Sequence, residues 1–255
     1  MITSTDNKKV KEVIKLIQKG KERRERGLYV IEGEHLFAEA PKEDIVSVFA
    51  SESFLKKGFD FGEIPEEIVE TVSDDVFKKM TDTITPQGVL CVMKRKNYSL
   101  DSLLGDLGEK PLFVLLEGIQ DPGNLGTILR TAEGAGARAV IMSADTVDLY
   151  NPKTVRSTQG SIFRVPFVYT DDIKDAVSKL KSHGIPCYAA HLKGKKTFKE
   201  ADYSKGACFF IGNEGNGLTD ETAGLADEYI IIPMGGKLES LNAAVSAAIL
   251  MYQLV

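Results

Sequence analysis

The sequence predicts an α/β protein built from two domains. Short β-rich runs alternate with helical segments along the chain, which is typical of a mostly parallel sheet covered by helices. The length of 255 residues fits two ordinary domains better than one large domain. In segment 97–111, Gly, Asp and a final Pro interrupt the alternation. We interpret this segment as a linker between domains at 1–96 and 112–255.

The N-terminal domain is predicted to be small and to start with an amphipathic helix over 6–19. Its apolar residues recur at the spacing i, i+3, i+4 and i+7, and they are Val10, Val13, Ile14 and Ile17. Asp6 is the predicted N-cap, Gly20 the predicted stop, and the charged stretch 21–27 a turn. The further strands are predicted at 28–31, 45–49, 68–72 and 88–93, with helices near 34–40, 51–56 and 74–80.

The C-terminal domain shows the clearer alternation of strands and helices. Its strands are predicted at 112–116, 139–143, 165–169, 186–190, 207–211 and 229–232. Its helices are predicted near 124–135, 152–160, 171–182, 219–224 and 240–253. In such sheets, ligands bind in the loops that follow the carboxyl ends of the strands. Those loops are where a functional site is expected.

Composition excludes several classes of protein. Hydrophobic residues make up 43% and charged residues 27% of the chain, as in globular proteins and unlike disordered, coiled-coil or collagen-like chains. No apolar run approaches the ~18–20 residues that a membrane span needs, and the N-terminus lacks a signal-peptide pattern. Cys91, Cys187 and Cys208 are too widely spaced for a disulfide framework. A cytoplasmic protein is the expectation.

The charges are distributed unevenly. The chain carries −5 overall, but residues 1–30 hold nine Lys or Arg against four Asp or Glu. Such an asymmetry is typical of a segment that binds a polyanion, although a solvated helix face would have the same composition.

The first of three loops with unusual residues lies within 115–137. A buried strand leads into Glu117, then a turn, then a helix for which Asn124 is the predicted N-cap. The buried face of that helix is predicted to be Leu125, Ile128, Leu129 and Ala132. Arg130 lies beside this face and is able to reach the edge of the sheet. The alternative is a plain connection with Arg130 in a surface ion pair.

The second loop, 209–221, follows another strand and contains Gly212, Gly215 and Gly217. Glycines at the end of a strand allow the backbone to approach a ligand, but they also form tight turns. Glu214 has no packing role between these glycines. We therefore expect it to contact a substrate or partner.

The third loop lies within 229–253 and carries Gly235 and Gly236 before the last helix. Ser240 is the predicted N-cap of that helix. Asn242 is an unusual amide at the start of an otherwise apolar helix. Small residues allow another helix or a second subunit to pack closely here; they are Ala243, Ala244, Ala247 and Ala248.

Several catalytic motifs are missing. The sequence contains no GxxxxGK[ST] phosphate loop, no HExxH and no GxSxG. His35, His183 and His191 do not cluster with cysteines, so no metal site is predicted. Metalloenzyme and hydrolase functions are disfavoured.

Together, the three loops resemble the motifs of the SpoU (TrmH-type) RNA 2′-O-ribose methyltransferases of the SPOUT superfamily. The matching strings are Asp121–Arg130 (DPGNLGTILR), Gly212–Gly217 (GNEGNG) and Ile232–Ser246 (IPMGGKLESLNAAVS). Segment 147–166 is similar to the middle of the family's catalytic domain. The string Tyr29–Leu36 (YVIEGEHL) resembles the family's small substrate-binding domain, which has an L30e-like α/β fold.

The resemblance implies a C-terminal SPOUT α/β domain with a trefoil knot, S-adenosylmethionine as cofactor and methyl donor, and an RNA substrate. It implies catalytic positions at Arg130, Asn124, Glu214, Ser240 and Asn242. It implies cofactor-binding positions at Gly212, Ile232, Pro233, Met234, Leu241 and Ala243. RNA phosphates are then expected at the basic N-terminal residues Lys8, Lys11, Arg23, Arg24 and Arg26.

The resemblance leaves some questions open. Arg130 is proposed as the activating base in the family, but a guanidinium stays protonated, so a clamp on phosphate is the easier role. A homodimer is implied, and we expect its interface on the last helix and the helix at 124–135, with the small apolar face at Ala243, Ala247, Ile249 and Leu250. The favoured substrate is 23S ribosomal RNA. The alternatives are a transfer-RNA methyltransferase, a catalytically silent RNA-binding or assembly factor, and a dinucleotide-dependent oxidoreductase, whose glycine fingerprint is missing.

Overall fold

A computed structural model describes residues 1–255, with eleven α-helices and eleven β-strands. The elements up to residue 96 are α1 Lys8–Gln18, α2 Gly20–Arg26, β1 Leu28–Glu32, α3 Glu34–Glu39, β2 Ile45–Ser51, α4 Glu52–Leu55, β3 Val69–Val72, α5 Asp74–Met80 and β4 Val89–Lys94. Those after it are α6 Leu100–Leu103, β5 Leu112–Leu116, α7 Pro122–Gly134, β6 Ala139–Ser143, α8 Pro152–Ser157, β7 Phe167–Thr170, α9 Ile173–Ser182, β8 Cys187–Ala190, β9 Lys196–Thr197, β10 Ala207–Ile211, α10 Asp220–Ala223, β11 Glu228–Ile231 and α11 Ala243–Met251.

Two sheets organise these elements. The N-terminal sheet has the strand order β1-β4-β2-β3, in which β4 is antiparallel to both of its neighbours. The C-terminal sheet has seven strands in the order β7-β6-β5-β10-β8-β11-β9, and every pair in it is parallel. The predicted α/β class is confirmed. None of the helices has the length and apolar character that crossing a bilayer needs.

The chain divides into two compact units. The first unit contains Met1–Lys96 and Asp148–Phe163, and the second contains Asn97–Val147 and Arg164–Val255. This division differs from the predicted one in two places. Segment 148–163, with α8, belongs to the first unit although it lies inside the predicted catalytic domain. Helix α6 lies in the predicted linker, yet Leu103 and Leu104 are buried in the core of the second unit. The domain boundaries at 96 and 112 stay a prediction.

Helix α1 packs its apolar face into the core of the first unit. Val10, Val13 and Leu16 are buried there, whereas the predicted Ile14 and Ile17 are only partly buried. Asn7 caps the helix by accepting a hydrogen bond from the Lys9 N–H at 2.9 Å, so the prediction of Asp6 was wrong.

The charged stretch after α1 forms a helix, not the predicted turn. Lys19 is extended and ends α1, and α2 begins at Gly20, which therefore does not act as the predicted stop. Lys, Glu and Arg are all good helix formers, which explains why α2 forms. Gly27, with φ of 64°, ends it.

In the second unit, two helix starts differ from the prediction. Asp121, not Asn124, caps α7, because Pro122 occupies the first helical position and its fixed φ suits that place. Asn242, not Ser240, caps α11, where its side-chain oxygen accepts from the Ala244 N–H at 2.9 Å. The predicted buried face of α7 is confirmed: its members are Leu125, Ile128, Leu129 and Ala132.

Candidate active site

Three loops meet at one edge of the seven-stranded sheet. Strands β5 and β10 are parallel neighbours whose last paired residues are Leu116 and Ile211. The loops that follow them therefore start side by side at the carboxyl edge. Strand β11 runs parallel to them in the same sheet and is followed by 232–242. These are the three loops that the sequence singled out, at the edge where such sheets bind ligands.

Glu214 ties the first two loops together. Its carboxylate accepts hydrogen bonds from the N–H groups of Gln120 and Asp121, both at 3.0 Å, and from the Asn124 side chain at 2.9 Å. The Asn124 oxygen in turn accepts from the Asn242 amide at 2.9 Å, which brings in the third loop. The predicted residues Glu214, Asn124 and Asn242 thus form one chain of hydrogen bonds.

These hydrogen bonds determine the charge state of Glu214. Burial on its own raises the pKa of this carboxyl group. The hydrogen bonds from the Asn124 side chain and from the main-chain N–H groups of Gln120 and Asp121 outweigh that effect and hold the pKa below its ordinary value of 4.5. The carboxylate is therefore a fixed anionic acceptor at neutral pH.

Further polar residues hold the same loops, and the sequence analysis did not identify them as functional. Glu117 accepts from the Thr219 N–H and hydroxyl, both at 2.8 Å, and from the Thr222 hydroxyl. Asn213 donates to the Gly118 carbonyl at 2.7 Å. The sequence could have indicated both residues, because Glu117 is an acid that directly follows a buried strand and Asn213 is an amide within a glycine-rich loop.

The loop 212–218 is folded tightly upon itself. Asn213 and Gly217 exchange two main-chain hydrogen bonds, at 3.0 and 2.9 Å. Gly217 has φ of 70°, which favours glycine. A Cβ atom on Gly212 would lie 2.1 to 2.4 Å from main-chain atoms of Gly217 and Leu218. Glycine at 212 is therefore required by this close approach.

A cavity of about 310 Å³ opens between the second and third loops. It is lined by residues 190–192, 211–218, 230–232, 234, 239–241, 243 and 246. Of the predicted cofactor-binding residues, five line it: Gly212, Ile232, Met234, Leu241 and Ala243. Pro233 does not, and it is exposed. Glu214 and Ser240, from the predicted catalytic set, line it as well.

The lining suits a molecule with a flat apolar ring and polar edges. Ile211, Leu218 and Ile230 supply apolar surface, and the main chain of 233–241 makes no hydrogen bond within the protein. Unpaired main-chain N–H and C=O groups beside apolar side chains can hold a nucleoside by its ring and edge atoms. The residues present therefore fit the adenosyl part of S-adenosylmethionine.

The remaining catalytic candidates lie outside this lining. Arg130 is exposed on α7, and its side chain forms no ion pair or hydrogen bond within the chain. The alternative that placed it in a surface ion pair is thus not what the structure shows. Asn124 is connected to the cavity by its hydrogen bond to Glu214, and Asn242 is connected to it by its hydrogen bond to Asn124.

Two clefts of the first unit have similar volumes, about 240 and 310 Å³. The smaller is lined by residues such as Ser53, Lys57 and Asp74, and the larger by residues such as Lys9, Glu12 and Phe49. Neither contains the predicted motifs. No group of three His, Cys, Asp or Glu side chains is placed to hold a metal ion.

The basic N-terminal residues divide into two groups. Arg23 is only 3% exposed and pairs with Asp148, with an Nη2–Oδ2 distance of 2.8 Å, so its prediction as an RNA contact was wrong. The other four are exposed. Lys11 pairs with Asp6 and Arg26 with Glu12, whereas two residues have no partner; they are Lys8 and Arg24.

The last helix also differs from the prediction. Ala243, Ala247 and Leu250 are buried within the chain, where α11 packs against α7, β5 and β10. They are therefore not available to a second subunit. The outward face of α11 instead carries Val245, which is 47% exposed, and the C-cap residue Tyr252 is 53% exposed.

Comparison with known proteins finds a family match in two regions of the chain. Residues 111–252 match the family model of the SpoU rRNA Methylase family, and residues 7–91 match an MRM3-like substrate binding domain. The 23S rRNA (guanosine(2553)-2′-O)-methyltransferase RlmP of Bacillus subtilis (strain 168) is 37% identical, over 99% of this chain and 98% of that protein.

Solved structures show the same fold. An AdoMet-bound rRNA methyltransferase from Sinorhizobium meliloti has a TM-score of 0.85 and 31% identity, covering 99% of this chain and 96% of that one. The SpoU methyltransferase AviRb from Streptomyces viridochromogenes, in complex with the cofactor AdoMet, has a TM-score of 0.83 and 25% identity, covering 97% of each chain.

Proposed function

The chain belongs to the SpoU rRNA methylase family, and from that premise we propose that it methylates a ribose 2′-hydroxyl of 23S ribosomal RNA, with S-adenosylmethionine as the methyl donor. The observation that carries the proposal is the cavity of about 310 Å³ whose apolar lining and unpaired main chain adjoin the Glu214–Asn124–Asn242 hydrogen-bond chain. A donor site beside fixed polar side chains is what methyl transfer to a hydroxyl needs.

We propose the following roles for the residues. Bound S-adenosylmethionine supplies an electrophilic methyl group on a sulfonium. Gly212, Ile232 and Leu241, with their neighbours Met234 and Ala243, hold its adenosyl part, whereas Pro233 lies outside the cavity. The anionic Glu214 fixes Asn124 and Asn242, and with Ser240 these side chains orient the ribose. Arg130 has a free guanidinium, which suits a grip on the adjacent phosphate and stabilisation of the developing alkoxide.

Methylation mapping tests the substrate. Ribose methylations in RNA from a strain lacking the gene are compared with those in wild type, and purified protein is then given unmodified 23S rRNA and S-adenosylmethionine. We expect one 2′-O-methyl site in 23S rRNA to disappear in the strain and reappear in vitro. Loss of a site in transfer RNA alone would favour a transfer-RNA methyltransferase. RNA binding without any transfer would favour a silent assembly factor.

Arg130 has its own test. Arg130→Lys keeps the positive charge but removes the bidentate fork, so we expect methyl transfer to fall about 100-fold while S-adenosylmethionine affinity changes less than about twofold. Single-turnover transfer and calorimetry measure the two quantities. Wild-type transfer in the Lys variant would remove Arg130 from the mechanism.

We propose that the exposed basic residues of α1 and α2 bind RNA phosphates. Changing Lys8, Lys11, Arg24 and Arg26 to Gln should weaken RNA binding. Each lost phosphate contact should also flatten the slope of log K against log salt by roughly 0.7–0.9. The matched control changes four exposed lysines elsewhere in the first unit to Gln: Lys56, Lys57, Lys78 and Lys79. Equal losses in both variants would contradict a specific role for α1 and α2.

We propose a homodimer that uses the outward face of α11. Val245 on α11 and Tyr252 at its C-cap are exposed large side chains seven positions apart, on the face where a second copy would cover them. An obligate interface should bury over about 2,000 Å² in total. Val245→Asp should give a monomer in analytical ultracentrifugation with little methyl transfer. A wild-type monomer at micromolar concentration with full activity would refute the dimer.

We propose that the C-terminal segment forms the family's trefoil knot. Strand β11 is separated from β10 by β8, yet the chain that leaves β11 returns in α11 to pack against α7, β5 and β10. Several residues of 232–243 on that return path line the same cavity as the loop 212–218, and such proximity suits threading. A crystal structure that traces 212–242 would check the knot.

We also propose a cytoplasmic location, since all three cysteines are free and ribosomal RNA is the expected substrate.

A further inference from the structure

Residues 148–163, which we call the bridging segment, belong to the first unit by their contacts but to the second by their position in the chain. Residues 97–147 and 164–255 on either side form the second unit. The chain therefore passes between the units at residues 147 and 148 and again at 163 and 164. The bridging segment is therefore held in the first unit by its contacts and is covalently connected at both of its ends to the second unit.

Asp148 anchors the bridging segment at its first residue. Its carboxylate accepts from the Arg23 Nε at 2.9 Å and Nη2 at 2.8 Å. The third guanidinium nitrogen, Nη1, donates to the carbonyls of Leu16 and Ile17 at 2.7 and 3.0 Å. Arg23 thus joins the end of α1, helix α2 and the bridging segment. The ion pair is nearly buried, with the side chains of Arg23 and Asp148 4% and 20% exposed.

Two further anchors hold the same segment. The Tyr150 hydroxyl accepts from the Lys96 N–H at 2.9 Å and donates to the Lys96 carbonyl at 3.0 Å. Arg156 forms a bidentate pair with Asp82, at 2.6 and 3.2 Å. The segment is therefore fixed to the first unit along its length and not at one point.

On the side of the second unit, Val147 is held by both of its main-chain groups. Its N–H donates to the Ile119 carbonyl at 2.8 Å, and its carbonyl accepts from the Tyr169 hydroxyl at 2.7 Å. Ile119 directly precedes Gln120 and Asp121, whose N–H groups bind Glu214. Residue 147 is thus one covalent bond from Asp148 and two hydrogen-bonded steps from the proposed catalytic carboxylate.

The other end of the bridging segment connects to helix α7. Arg164, the first residue after the segment, pairs with Glu133 of α7, with an Nη2–Oε2 distance of 3.2 Å. Helix α7 also carries Asn124 and Arg130. One end of the segment therefore leads to the main-chain N–H groups that bind Glu214, and the other leads to the helix that carries Asn124 and Arg130.

We propose that Arg23 and Asp148 are positioning residues that couple RNA bound at α1 and α2 to the Glu214–Asn124–Asn242 hydrogen-bond chain. RNA that restricts the motion of α1 and α2 also restricts the bridging segment, because the ion pair connects them. The segment in turn restricts residues 119–121 and α7, to which its two ends are connected. A contiguous set of packed and hydrogen-bonded groups is the physical requirement for such coupling. The inference rests on the proposed binding of RNA to α1 and α2.

Stability alone does not explain a charge pair at this place. Taking two charges out of water costs nearly as much as their attraction returns, and apolar pairs often replace buried ion pairs without loss. The ion pair is suited instead to fix one arrangement of α1, α2 and the bridging segment. Asp148→Asn is the appropriate probe, because it keeps the size of the side chain and an oxygen that can accept from the Tyr150 N–H, as Oδ1 does at 3.0 Å.

The experiment measures binding of S-adenosylhomocysteine, which cannot donate a methyl group, with and without saturating unmodified 23S rRNA. In wild type we expect RNA to tighten this binding at least about fivefold, a typical coupling between two sites. In Asp148→Asn the ratio should fall towards one, and the single-turnover methyl-transfer rate should fall about ten- to a hundredfold. RNA affinity and S-adenosylhomocysteine affinity without RNA should stay within about twofold.

Controls separate coupling from folding. Glu25→Gln removes an exposed pair with Lys21 on the same helix α2 and should leave the ratio and the transfer rate at saturating RNA at their wild-type values. If Asp148→Asn does not fold, Asp82→Asn loosens a half-exposed anchor of the same segment and should reduce the ratio in the same direction. A ratio and rate in Asp148→Asn equal to wild type would overturn the proposal, as would a wild-type ratio of one. Absence of RNA binding in wild type would instead refute the proposed function.

Discussion

The two loops that line the cavity are built in opposite ways. The loop 212–218 is closed by main-chain hydrogen bonds between Asn213 and Gly217, and Glu214 binds three donors of the neighbouring loop. The segment 233–241 makes no hydrogen bond within the protein, and most of it is exposed. One wall of the site is therefore complete before the ligand binds, whereas the other wall still has its main-chain groups available to the ligand.

This difference has a physical consequence. Unpaired main-chain groups cost little in water but a great deal when buried, so 233–241 is stable in the open state only because water reaches it. A ligand that covers the segment must replace that water with its own donors and acceptors. Local stability is therefore expected to be low at 233–241 and high at 212–218 until the ligand binds.

The largest effect is expected from Gly212→Ala. The added Cβ would lie 2.1 to 2.4 Å from main-chain atoms of Gly217 and Leu218, and these atoms cannot move without opening the loop. We expect a loss of stability of at least about 1–3 kcal/mol, the usual cost of forced overpacking, and loss of S-adenosylmethionine binding. Urea unfolding and calorimetry measure the two effects. Wild-type affinity in the Gly212→Ala variant would show that the prebuilt wall is not needed.

The sequence predicted the apolar faces better than the helix starts. Leu125, Ile128 and Leu129 follow a spacing that only one helix face can bury, and that face is the one observed. Each wrong N-cap had another good capping residue within three positions: Asn7 beside Asp6, Asp121 before Asn124, and Asn242 after Ser240. Capping preferences of these residue types are too similar to decide between such neighbours.

Long-range pairing set the other limit on prediction. Arg23 and Arg24 carry the same charge on the same helix, but Arg23 is buried, and Asp148, 125 positions later in the chain, accepts two of its hydrogen bonds. No local pattern contains that information. Glu214 was identified because an acid between glycines has no packing role, but its partners lie 90 to 94 positions away and required the fold.

The second prediction concerns the contact between the prebuilt loop and its neighbour. Glu214→Gln keeps the shape but turns one carboxylate oxygen into an NH₂ group, which then faces an N–H donor at Gln120 or Asp121. We expect methyl transfer to fall about 100-fold and stability to fall as well. Glu221→Gln, an exposed acid without an ion pair in nearby α10, is the control and should behave as wild type.

The same substitution has a defined pH dependence. Because the pKa of Glu214 is lowered in the folded protein, its contribution to stability is complete above the ordinary value of 4.5 and is lost as the pH falls through the lowered pKa. The stability difference between wild type and Glu214→Gln should therefore be constant near neutral pH and shrink in acid. Urea unfolding at a series of pH values measures it. A difference that grows in acid would contradict the assigned hydrogen bonds.

The third prediction compares the two loops directly by amide hydrogen exchange. Without ligand, N–H groups of 234–241 should exchange rapidly, since they have no partner in the protein, and the Asn213 and Gly217 N–H groups should be protected. Saturating S-adenosylhomocysteine should slow exchange in 234–241 and change Asn213 and Gly217 little. Equal protection of both loops without ligand would remove the contrast between them.

The smallest effect is expected from Gly235→Ala, the counterpart of Gly212→Ala in the open loop. No atom lies within 4 Å of the position that a Cβ would take, and the φ of Gly235 lies outside the left-handed region, so alanine fits without strain. Gly235 does not line the cavity, and the added methyl group therefore does not occupy ligand space. Alanine restricts the unfolded chain, so stability should rise by about 0.4–1 kcal/mol, and ligand affinity should change less than about twofold. A loss of affinity as large as that of Gly212→Ala would mean that 233–241 also has a required closed conformation, and the contrast between the two walls of the cavity would then fail.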